Sequence, residues 1–420
     1  MSLVRWPEEV NGEYSVNFYK VPFSIMFTET EELIIEKSHR KISERKIEEK
    51  MTSRERFGKN FFSDGPIDRL PICISGGHNI MPRIFDAFGD PPSTLGQRDM
   101  INHPNLDFVG QMIWQAKWWF ADLFAPMNYS YSEEVLSRRF RMIEYGPPLS
   151  VEPLVKTKED AQFFMDNMPD PALAGTYPAY LWEVKQQIKH LPELVSVGSV
   201  CPGTISGASF LRGIRNFLID VRKNMEMAEM VVKCTSKWLH KKIDRMVVPL
   251  GEQLDENGKG NILWWCDAAS FLNLEEFTKL MPLTYGTDVP YAAKKGWKIG
   301  IAPEAPVATM DLISKCVSEN GGSSGILSHP EQPPIEDWYR MTRKYDNVPA
   351  FCDADVKAIL DGPKSHILES WKRQARAFAQ YPTKGLRTYM LCPFDPTTPM
   401  EHMEYAAKSL LEVFKYPVEA

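Results

Sequence analysis

The chain has 420 residues, of which 43% are hydrophobic and 25% are charged, as in an ordinary soluble globular protein. A formal net charge of −6 gives no basic surface for nucleic acid or an anionic membrane, and no run approaches the ~18 apolar residues of a transmembrane helix. The first residues lack the apolar segment of a signal peptide, and the seven cysteines are spread without tight pairing. We therefore expect a cytoplasmic protein with free or metal-bound thiols.

Residues 1–57 are predicted to form an N-terminal arm and helix. Aromatic residues stand between polar ones up to Phe27, which is typical of an irregular arm packed on a surface. From Thr28 to Phe57, apolar residues recur at roughly helical spacing among dense charges. We interpret this segment as a solvated helix with intrahelical ion pairs, the alternative being a partner-binding helix.

Residues 58–420 are predicted to form one α/β domain, a (β/α)8 TIM barrel. A first strand is expected in Pro71–His78, and either a hairpin or an extended excursion over the barrel from Phe140 to Val155. Towards the C-terminus short apolar runs alternate with helical patterns, which indicates a parallel sheet with crossover helices. The runs lie in 297–304, 325–331, 347–355 and 386–395, and the helical patterns in 307–320, 335–345 and 364–380.

Metal-capable residues close the last four apolar runs. In a (β/α)8 barrel the catalytic groups lie at the C-terminal strand ends. Two thiolates with a carboxylate or an imidazole can hold zinc and leave one position open for a substrate atom. The alternative is that the two cysteines are ordinary core residues. The candidate ligands are Cys392, Cys352, Glu331, His329 and Glu304.

Further polar and aromatic residues at strand ends are candidates for substrate binding or acid–base chemistry. Trp264 and Trp265 end an apolar strand that leads into Asp267, which either acts in the site or caps a helix over 272–280. His78 stands at the tip of the first glycine turn, as a turn residue or a residue facing a ligand. Of Asp353 and Asp355, one is expected to cap the helix 356–360 and the other to face the site.

Two other features favour a structural interpretation. The aromatic stripe in 113–120 is typical of a core helix, although it could also line an aryl pocket. Cys234 and Cys316 fall inside apolar helical patterns and are predicted to be buried structural thiols.

Five segments, in order, resemble motifs of the uroporphyrinogen decarboxylase superfamily. The opening is similar to its "T-x-R-E-R" helix and "D-R-x-P" strand entry. The middle is similar to its "G-P-F-T", "L-R-G" and "F-L-x-D" block and to its "D-D" block, and the end is similar to the "G-C…T-P" turn of its methyltransferase members. The segments are Met51–Phe57 with Asp68–Ile74, Val197–Thr204, Phe210–Asp220, Cys266–Pro282 and Cys392–Pro399.

The resemblance implies a choice between two activities. The arginine-rich loop of the porphyrinogen decarboxylases is absent, since Ser75–Arg83 stands at its position. Members that activate thiols carry an "H-x-C" pair where this chain has Ala302-Pro303-Glu304. The spacing of 39 residues between Cys352 and Cys392 resembles that of the methyltransferase components of anaerobic O-demethylases.

The implied function is therefore methyl transfer from a methoxylated, aromatic substrate to the Co(I) corrinoid of a partner carrier protein, with zinc activating the ether oxygen. The chain has no corrinoid-binding "D-x-H-x-x-G" segment of its own, so the cobalamin-type cofactor is expected on that partner. The alternatives are a decarboxylase of a small organic acid, with a cationic pocket from residues such as Arg83, Arg212 and Arg215, or a non-catalytic binding protein.

Overall fold

Two sheets organise the computed structural model of this chain. The smaller sheet is antiparallel and consists, in spatial order, of β1 (Glu9–Val10), β2 (Glu13–Ser15), β5 (Ser137–Arg141) and β6 (Leu149–Pro153). The structure describes residues 9–10, 13–15, 26–62, 67–74, 104–124, 133–141, 149–174, 177–196, 198–250, 261–266, 269–302, 305–320, 324–328, 335–345, 351–353, 355–380, 388–391 and 398–414.

The larger sheet is parallel throughout and has nine strands. In spatial order they run β7, β4, β3, β13, β12, β11, β10, β9 and β8. The two strands at the ends of this order, β7 and β8, are separated along the chain by residue 197 alone. The strands are β3 (Ile72–Ile74), β4 (Leu123–Phe124), β7 (Val195–Ser196), β8 (Gly198–Ser199), β9 (Asn261–Cys266), β10 (Trp297–Ala302), β11 (Ser324–Ser328), β12 (Phe351–Asp353) and β13 (Thr388–Leu391).

Helices account for most of the described residues, so the protein is a mostly helical α/β protein. The predicted alternation of strands and helices between residues 297 and 391 is confirmed. None of the helices in the described ranges is long and apolar enough to cross a membrane. The helices are α1 (Glu29–Lys46), α2 (Ser53–Phe62), α3 (Pro104–Lys117), α4 (Lys158–Asp166), α5 (Tyr177–His190), α6 (Thr204–Arg212), α7 (Ile214–Lys223), α8 (Met225–Leu250), α9 (Leu274–Leu280), α10 (Tyr285–Lys294), α11 (Val307–Glu319), α12 (Ile335–Lys344), α13 (Val356–Leu360), α14 (Lys364–Gln380) and α15 (Met400–Val413).

The segment from Thr28 to Phe57 is helical over Glu29–Lys46, as predicted, but a second helix begins at Ser53 where one continuous helix was expected. The first helix, α1, buries Ile35 and Ile42 and packs against α3. The chain then begins a new helix at Thr52, whose side chain accepts a hydrogen bond from the backbone N–H of Glu55 at 3.1 Å while the Glu55 carboxylate accepts from the Thr52 N–H at 2.9 Å. This reciprocal cap satisfies two backbone N–H donors, and it determines where the second helix begins.

The hairpin predicted between Phe140 and Val155 is confirmed and begins slightly earlier, at Ser137. Its first strand also pairs with the N-terminal arm, since Tyr14 stands opposite Phe140 and Ser15 opposite Arg139. Just beyond the hairpin, the N–H of Val155 donates to the carbonyl of Leu211 at 2.9 Å. The small sheet is thereby attached to α6.

The aromatic stripe of α3 and the two helical cysteines lie in the core, as predicted. Trp114 and Trp118 are 1% and 4% exposed, and their rings pack edge to face. Burial raises the pKa of the Cys234 thiol to about 12 and that of the Cys316 thiol to about 11. Both thiols therefore stay protonated near neutral pH, which is the behaviour of structural cysteines.

His190 ends α5 inside an aromatic cluster with Phe27, Phe108 and Trp182. Its Nε2 atom has no hydrogen-bond partner among the described residues. Burial, followed by the nearby cations Lys189 and His39, lowers the pKa of its imidazole to about 4. The imidazole of His190 therefore stays neutral in the folded state at pH values below 6.5, where a histidine of the unfolded chain binds a proton.

We expect the protein to lose stability as the pH falls from about 6.5 to about 4, by on the order of 1 kcal/mol from His190, because the partial exposure of its ring to solvent reduces the effect of the lowered pKa. The unfolded state binds the additional proton in this window, so acid favours unfolding. Urea unfolding at pH 7 and pH 5 measures the slope. The variant His190→Phe should reduce the slope, whereas His366→Gln, at an exposed histidine, should leave it unchanged. Equal slopes in wild type and His190→Phe would contradict the prediction.

The residues of the opening motif form a buried ion network at the N-terminal edge of the parallel sheet. Asp122 directly precedes β4, is fully buried and accepts from the Arg56 Nη1 and Arg69 Nη1 atoms, each at 2.5 Å. Arg56 also forms a two-point contact with Asp68, at 2.7 and 2.8 Å. These arginines and carboxylates are paired with one another inside the fold, so the motif has a structural role.

Candidate functional site

The C-terminal edge of the parallel sheet carries the candidate site. All pairings in this sheet are parallel, so the C-terminal strand ends meet at one edge. Trp264 and Trp265 lie in the last three residues of β9, and Cys352 and Asp353 in the last two of β12. The backbone therefore places these four predicted site residues at the edge where barrel enzymes hold their reactive groups. Their side chains lie outside the described part of the structure.

The strand register brings the predicted ligand positions next to one another. Cys352 is paired with Ser328 on one side and with Tyr389 on the other. His329 follows Ser328 directly in the sequence, and Cys392 follows three residues after Tyr389. Since neighbouring strands are about 4.8 Å apart, the chain leaves β11, β12 and β13 at adjacent points of the same edge.

The remaining predicted site residues all follow a described strand end within four positions of the sequence. They lie outside the described residues, so their roles stay predictions. Among the residues that are described, no group of three His, Cys, Asp or Glu side chains is close enough to hold a metal ion. The six residues are His78 after β3, Asp267 after β9, Glu304 after β10, His329 and Glu331 after β11, and Cys392 after β13.

Two helix caps resolve alternatives that the sequence left open. Asp355 caps α13, because its carboxylate accepts from the N–H of Ala358 at 2.9 Å. Of the two aspartates after Cys352, Asp353 is therefore the one that remains a candidate for the site. The cap of α9 is Asn273, which accepts from the N–H of Glu276 at 2.9 Å, so the alternative of Asp267 as that cap is wrong.

A buried polar cluster fixes the turn that follows β8. The Asp288 carboxylate, 2% exposed, accepts from the Thr204 hydroxyl and the Ser236 hydroxyl at 2.5 Å each. His240 Nε2 lies 3.0 Å from the same carboxylate, and its ring stacks on Tyr291 with centroids 3.8 Å apart. These contacts join α6, α8 and α10. The Asp288 carboxylate is engaged by groups of all these helices, so it supports their junction.

Lys242 contacts the backbone of the same turn. Its side chain is fully buried, and its ammonium donates to the carbonyl of Cys201 at 2.6 Å and to that of Pro202 at 3.4 Å. The hydroxyl of Tyr177 in turn donates to the Lys242 carbonyl at 3.2 Å. A buried ammonium that donates to main-chain carbonyls restricts their position, so the chain between β8 and Thr204 is firmly held.

Sequence reasoning did not identify Lys242, His240 or Asp288. Thr204 and Asp288 are 84 positions apart, and no local pattern connects residues at that separation. Lys242 looks like one more solvated charge of a long helix, since its neighbour Lys241 and the rest of the segment carry many charges. Only the packing of α8 against the turn after β8 makes these residues recognisable.

Arg212, proposed for the cationic pocket of a decarboxylase, is already engaged within the fold. Its Nε donates to Asp220 at 2.7 Å and its Nη1 to the carbonyl of Lys156 at 2.7 Å. Arg215 is exposed on α7, and Arg83 lies outside the described residues. Arg212 is therefore engaged by groups of the fold itself, and this does not support its role in binding a substrate carboxylate.

A polar cleft of about 550 Å3 lies along α13 and α14, and Asp355 is one of its lining residues. Arg373 lines it and is held by Glu336 of α12 through two contacts, at 3.1 and 3.0 Å. The other charged lining residues have mixed signs. This balance gives no preference for an anion or a cation, so we do not place the active site there.

The fold is similar to that of a methyltransferase from Methanosarcina mazei, with a TM-score of 0.63 and 14% sequence identity. The similarity covers 86% of this chain and 99% of the other. At this low identity the similarity shows the fold alone. No protein-family model matches the chain, and no curated protein matches it in sequence.

Proposed function

We propose that this chain is a methyltransferase that moves a methyl group from a methoxylated, aromatic substrate to the Co(I) corrinoid of a partner protein. The observation that carries the proposal is the register of β11, β12 and β13, which aligns the positions from which the zinc-ligand candidates follow. The fold, shared with a protein described as a methyltransferase, supports the same reaction class. That the acceptor is a corrinoid and the donor a methyl ether is inferred from the motifs that resemble the uroporphyrinogen decarboxylase superfamily.

The proposed architecture is a closed (β/α)8 barrel formed by residues 58–420, with residues 1–57 as an N-terminal arm and helix. The order of strand pairs supports closure, because it begins at β7 and ends at β8. These two strands follow each other along the chain with one residue between them. Joined as one strand, they would complete a ring of eight parallel strands with the candidate site at its C-terminal mouth.

The donor set proposed at this mouth fits zinc. Thiolate, imidazole and carboxylate are the ligands that zinc takes in proteins, and a catalytic site uses three of them and keeps one position open. When bound, zinc supplies a Lewis acid that polarises the ether oxygen and stabilises the charge that develops on it as the C–O bond breaks. The proposed ligands, in order of preference, are Cys392, Cys352, Glu331, His329 and Glu304.

The substrate is proposed to bind beside β9. Trp264 and Trp265 belong to this strand, and an indole ring is a suitable surface for an aromatic substrate. Asp267 follows this strand and is proposed to orient the substrate, with Asp353 across the site and His78 at the mouth. Their shared task is alignment, because direct transfer of a methyl group requires the acceptor to approach in line with the breaking bond.

The reaction is tested with free cob(I)alamin as the acceptor and a panel of methoxylated benzoates and phenols as donors. The cobalt contributes the electron pair of the new Co–C bond, and the ether oxygen keeps the pair of the broken C–O bond and takes a proton from water. We expect methylcobalamin and the demethylated phenol in equal amounts, measured by absorbance and chromatography. No product with any donor, for protein that contains zinc, would refute the proposal.

A further inference from the structure

We propose that Lys242 is a positioning residue for the methyl transfer, because it holds the turn that leaves β8 as a fixed wall of the site in which the methoxylated substrate binds. We call residues 200–203 the β8–α6 turn, since they connect these two elements. The inference rests on the proposed function, because it assumes that the substrate binds at this edge of the sheet. It gives Lys242 an effect on the reaction in addition to its contribution to the fold.

The β8–α6 turn lies at the C-terminal edge of the parallel sheet, beside the proposed substrate strand. The strands β8 and β9 are paired in parallel, with Ser199 opposite Trp264. The turn begins with the next residue, and β9 ends two residues after Trp264. Since neighbouring strands are about 4.8 Å apart, the turn leaves the sheet next to the strand end that leads to Asp267. In parallel barrels the loops at this edge surround the substrate.

Lys242 reaches this turn from α8, a helix that packs against both β8 and α6. Its ammonium donates to the carbonyls of Cys201 and Pro202, at 2.6 and 3.4 Å, and these two residues form the middle of the turn. Peptide groups are planar, so a carbonyl that is held in place fixes the orientation of its whole peptide group. Lys242 therefore determines the path of the backbone where the chain leaves β8.

A second polar contact holds the far end of the turn. Thr204, the first residue of α6, donates to the Asp288 carboxylate of α10, which also accepts from Ser236 of α8. Between the two ends, Val200 is 0% exposed and Cys201 is 3% exposed. The turn is thus buried and is held by groups of two helices, as a wall of fixed shape must be.

The chemistry of the lysine favours a role in alignment over a role in stability alone. An ammonium is costly to bury, and buried charged groups can often be replaced by apolar residues of similar volume without loss of stability. Apolar contacts have no direction, whereas hydrogen bonds from an ammonium hold carbonyl oxygens at defined positions. Methyl transfer depends on such definition, because a displacement of about 1 Å can lower a rate about a hundredfold.

The test compares Lys242→Met with the matched control Lys241→Met. Both variants remove one lysine charge from α8, and Lys241 also donates to a main-chain carbonyl, that of Met168 at 2.9 Å, in a different segment. Kinetics of zinc-loaded enzyme give kcat and KM per folded molecule, for the methoxylated donor and for cob(I)alamin. Hydrogen exchange, measured by mass spectrometry on peptides that cover residues 200–204, reports the mobility of the turn independently of turnover.

We expect Lys242→Met to lower kcat/KM for the donor at least about tenfold and to accelerate hydrogen exchange in the turn. Its KM for cob(I)alamin and its zinc content should stay as in the wild type, because the proposed zinc ligands follow other strands. Lys241→Met should match the wild type in all these measurements. If Lys242→Met does not fold, Tyr177→Phe removes the hydrogen bond from the tyrosine hydroxyl to the Lys242 carbonyl and should give smaller changes of the same kind.

Unchanged hydrogen exchange in the turn of Lys242→Met would show that this lysine does not hold it. Faster exchange with an unchanged kcat/KM per folded molecule would show that the turn does not act on the substrate. Either result overturns the proposal. Absence of transfer by the wild type with every donor refutes the proposed function instead, and it is distinct from a loss that Lys242→Met shows and the wild type does not.

Discussion

Replacing Asp122 with alanine is expected to destabilise the protein by about 3 kcal/mol, because Lys46, Arg56 and Arg69 then keep only Glu49 of the two carboxylates that all three contact. Asp122 accepts from Arg56 and Arg69, and Lys46 Nζ lies 3.4 Å from the same carboxylate. The Ser53 hydroxyl donates to it at 2.8 Å, and the N–H of Ile72 at 2.9 Å. The loss therefore affects two helices and the entrances of two strands at once.

The charge balance of this network explains why the effect should be large. Burial alone would raise the pKa of the Asp122 carboxyl, but Arg69, Lys46 and Arg56 together hold it well below its usual range. This stabilisation is fully present above the pKa of an unfolded aspartate, near 3.9, and is lost as the pH falls below it. At neutral pH the wild type therefore retains the whole contribution, and the alanine variant lacks it.

Urea unfolding at pH 7 measures the difference. Asp311→Ala is the matched control, since Asp311 lies at the surface and accepts from Lys344 at 3.2 Å and from the Tyr345 hydroxyl at 3.1 Å. An exposed contact of this kind contributes about 1 kcal/mol or less. If Asp122→Ala does not accumulate in folded form, Asp68→Asn weakens the same network from its rim and should give an intermediate loss. A loss for Asp122→Ala no larger than that of the control would contradict the structural role of the network.

The same network shows which of its residues can be predicted from the sequence. The opening motif from Thr52 to Asp68 is recognisable locally, because a cap, an arginine and an aspartate stand at fixed spacing. Its centre, Asp122, is 66 residues beyond Arg56. Asp122 stands in the apolar run 118–126, but no local pattern connects that run to the opening motif. The sequence therefore indicates the arginines of the network and not the buried carboxylate at its centre.

Helices were easier to predict than their boundaries with neighbouring segments. The predicted helices over 307–320, 335–345 and 364–380 agree with the structure to within one residue, because apolar periodicity persists over several turns. The helix predicted from Thr28 to Phe57 is confirmed over Glu29–Lys46 but not as one continuous helix, and its charge density suggested solvent exposure although Ile35 and Ile42 are buried. Dense charge on a helix does not exclude a narrow buried stripe.

For the candidate site, the sequence indicates which strand ends carry polar residues but cannot give the register between strands. That Cys352 stands opposite Ser328 and Tyr389 depends on hydrogen bonds between segments far apart in the chain. A shift of one residue would turn each side chain to the other face of the sheet. The register is therefore the main addition that the structure makes to the proposed zinc site.

The second large effect is expected at Cys352. We expect Cys352→Ala to lose bound zinc and to lower methyl transfer at least about a hundredfold, since even changes behind the ligands of a metal often cost 10–100-fold. The register carries this expectation, because β12 lies between the strands that lead to His329 and to Cys392. Removing a central donor would leave the remaining candidates with too few ligands for a stable site.

Elemental analysis and the rate with cob(I)alamin are measured together, with Cys316→Ala and Cys234→Ala as controls. Burial raises the pKa of both control thiols, to about 11 and about 12, so neither is a thiolate ligand near neutral pH. These variants should keep their zinc and their rate per folded molecule, although cavities in the core lower their stability. Cys352→Ala should show the reverse pattern, with nearly unchanged unfolding and lost metal. If it keeps one zinc per chain and full activity, Cys352 is a core cysteine, and the site must be built from the donors that follow β11 and β13.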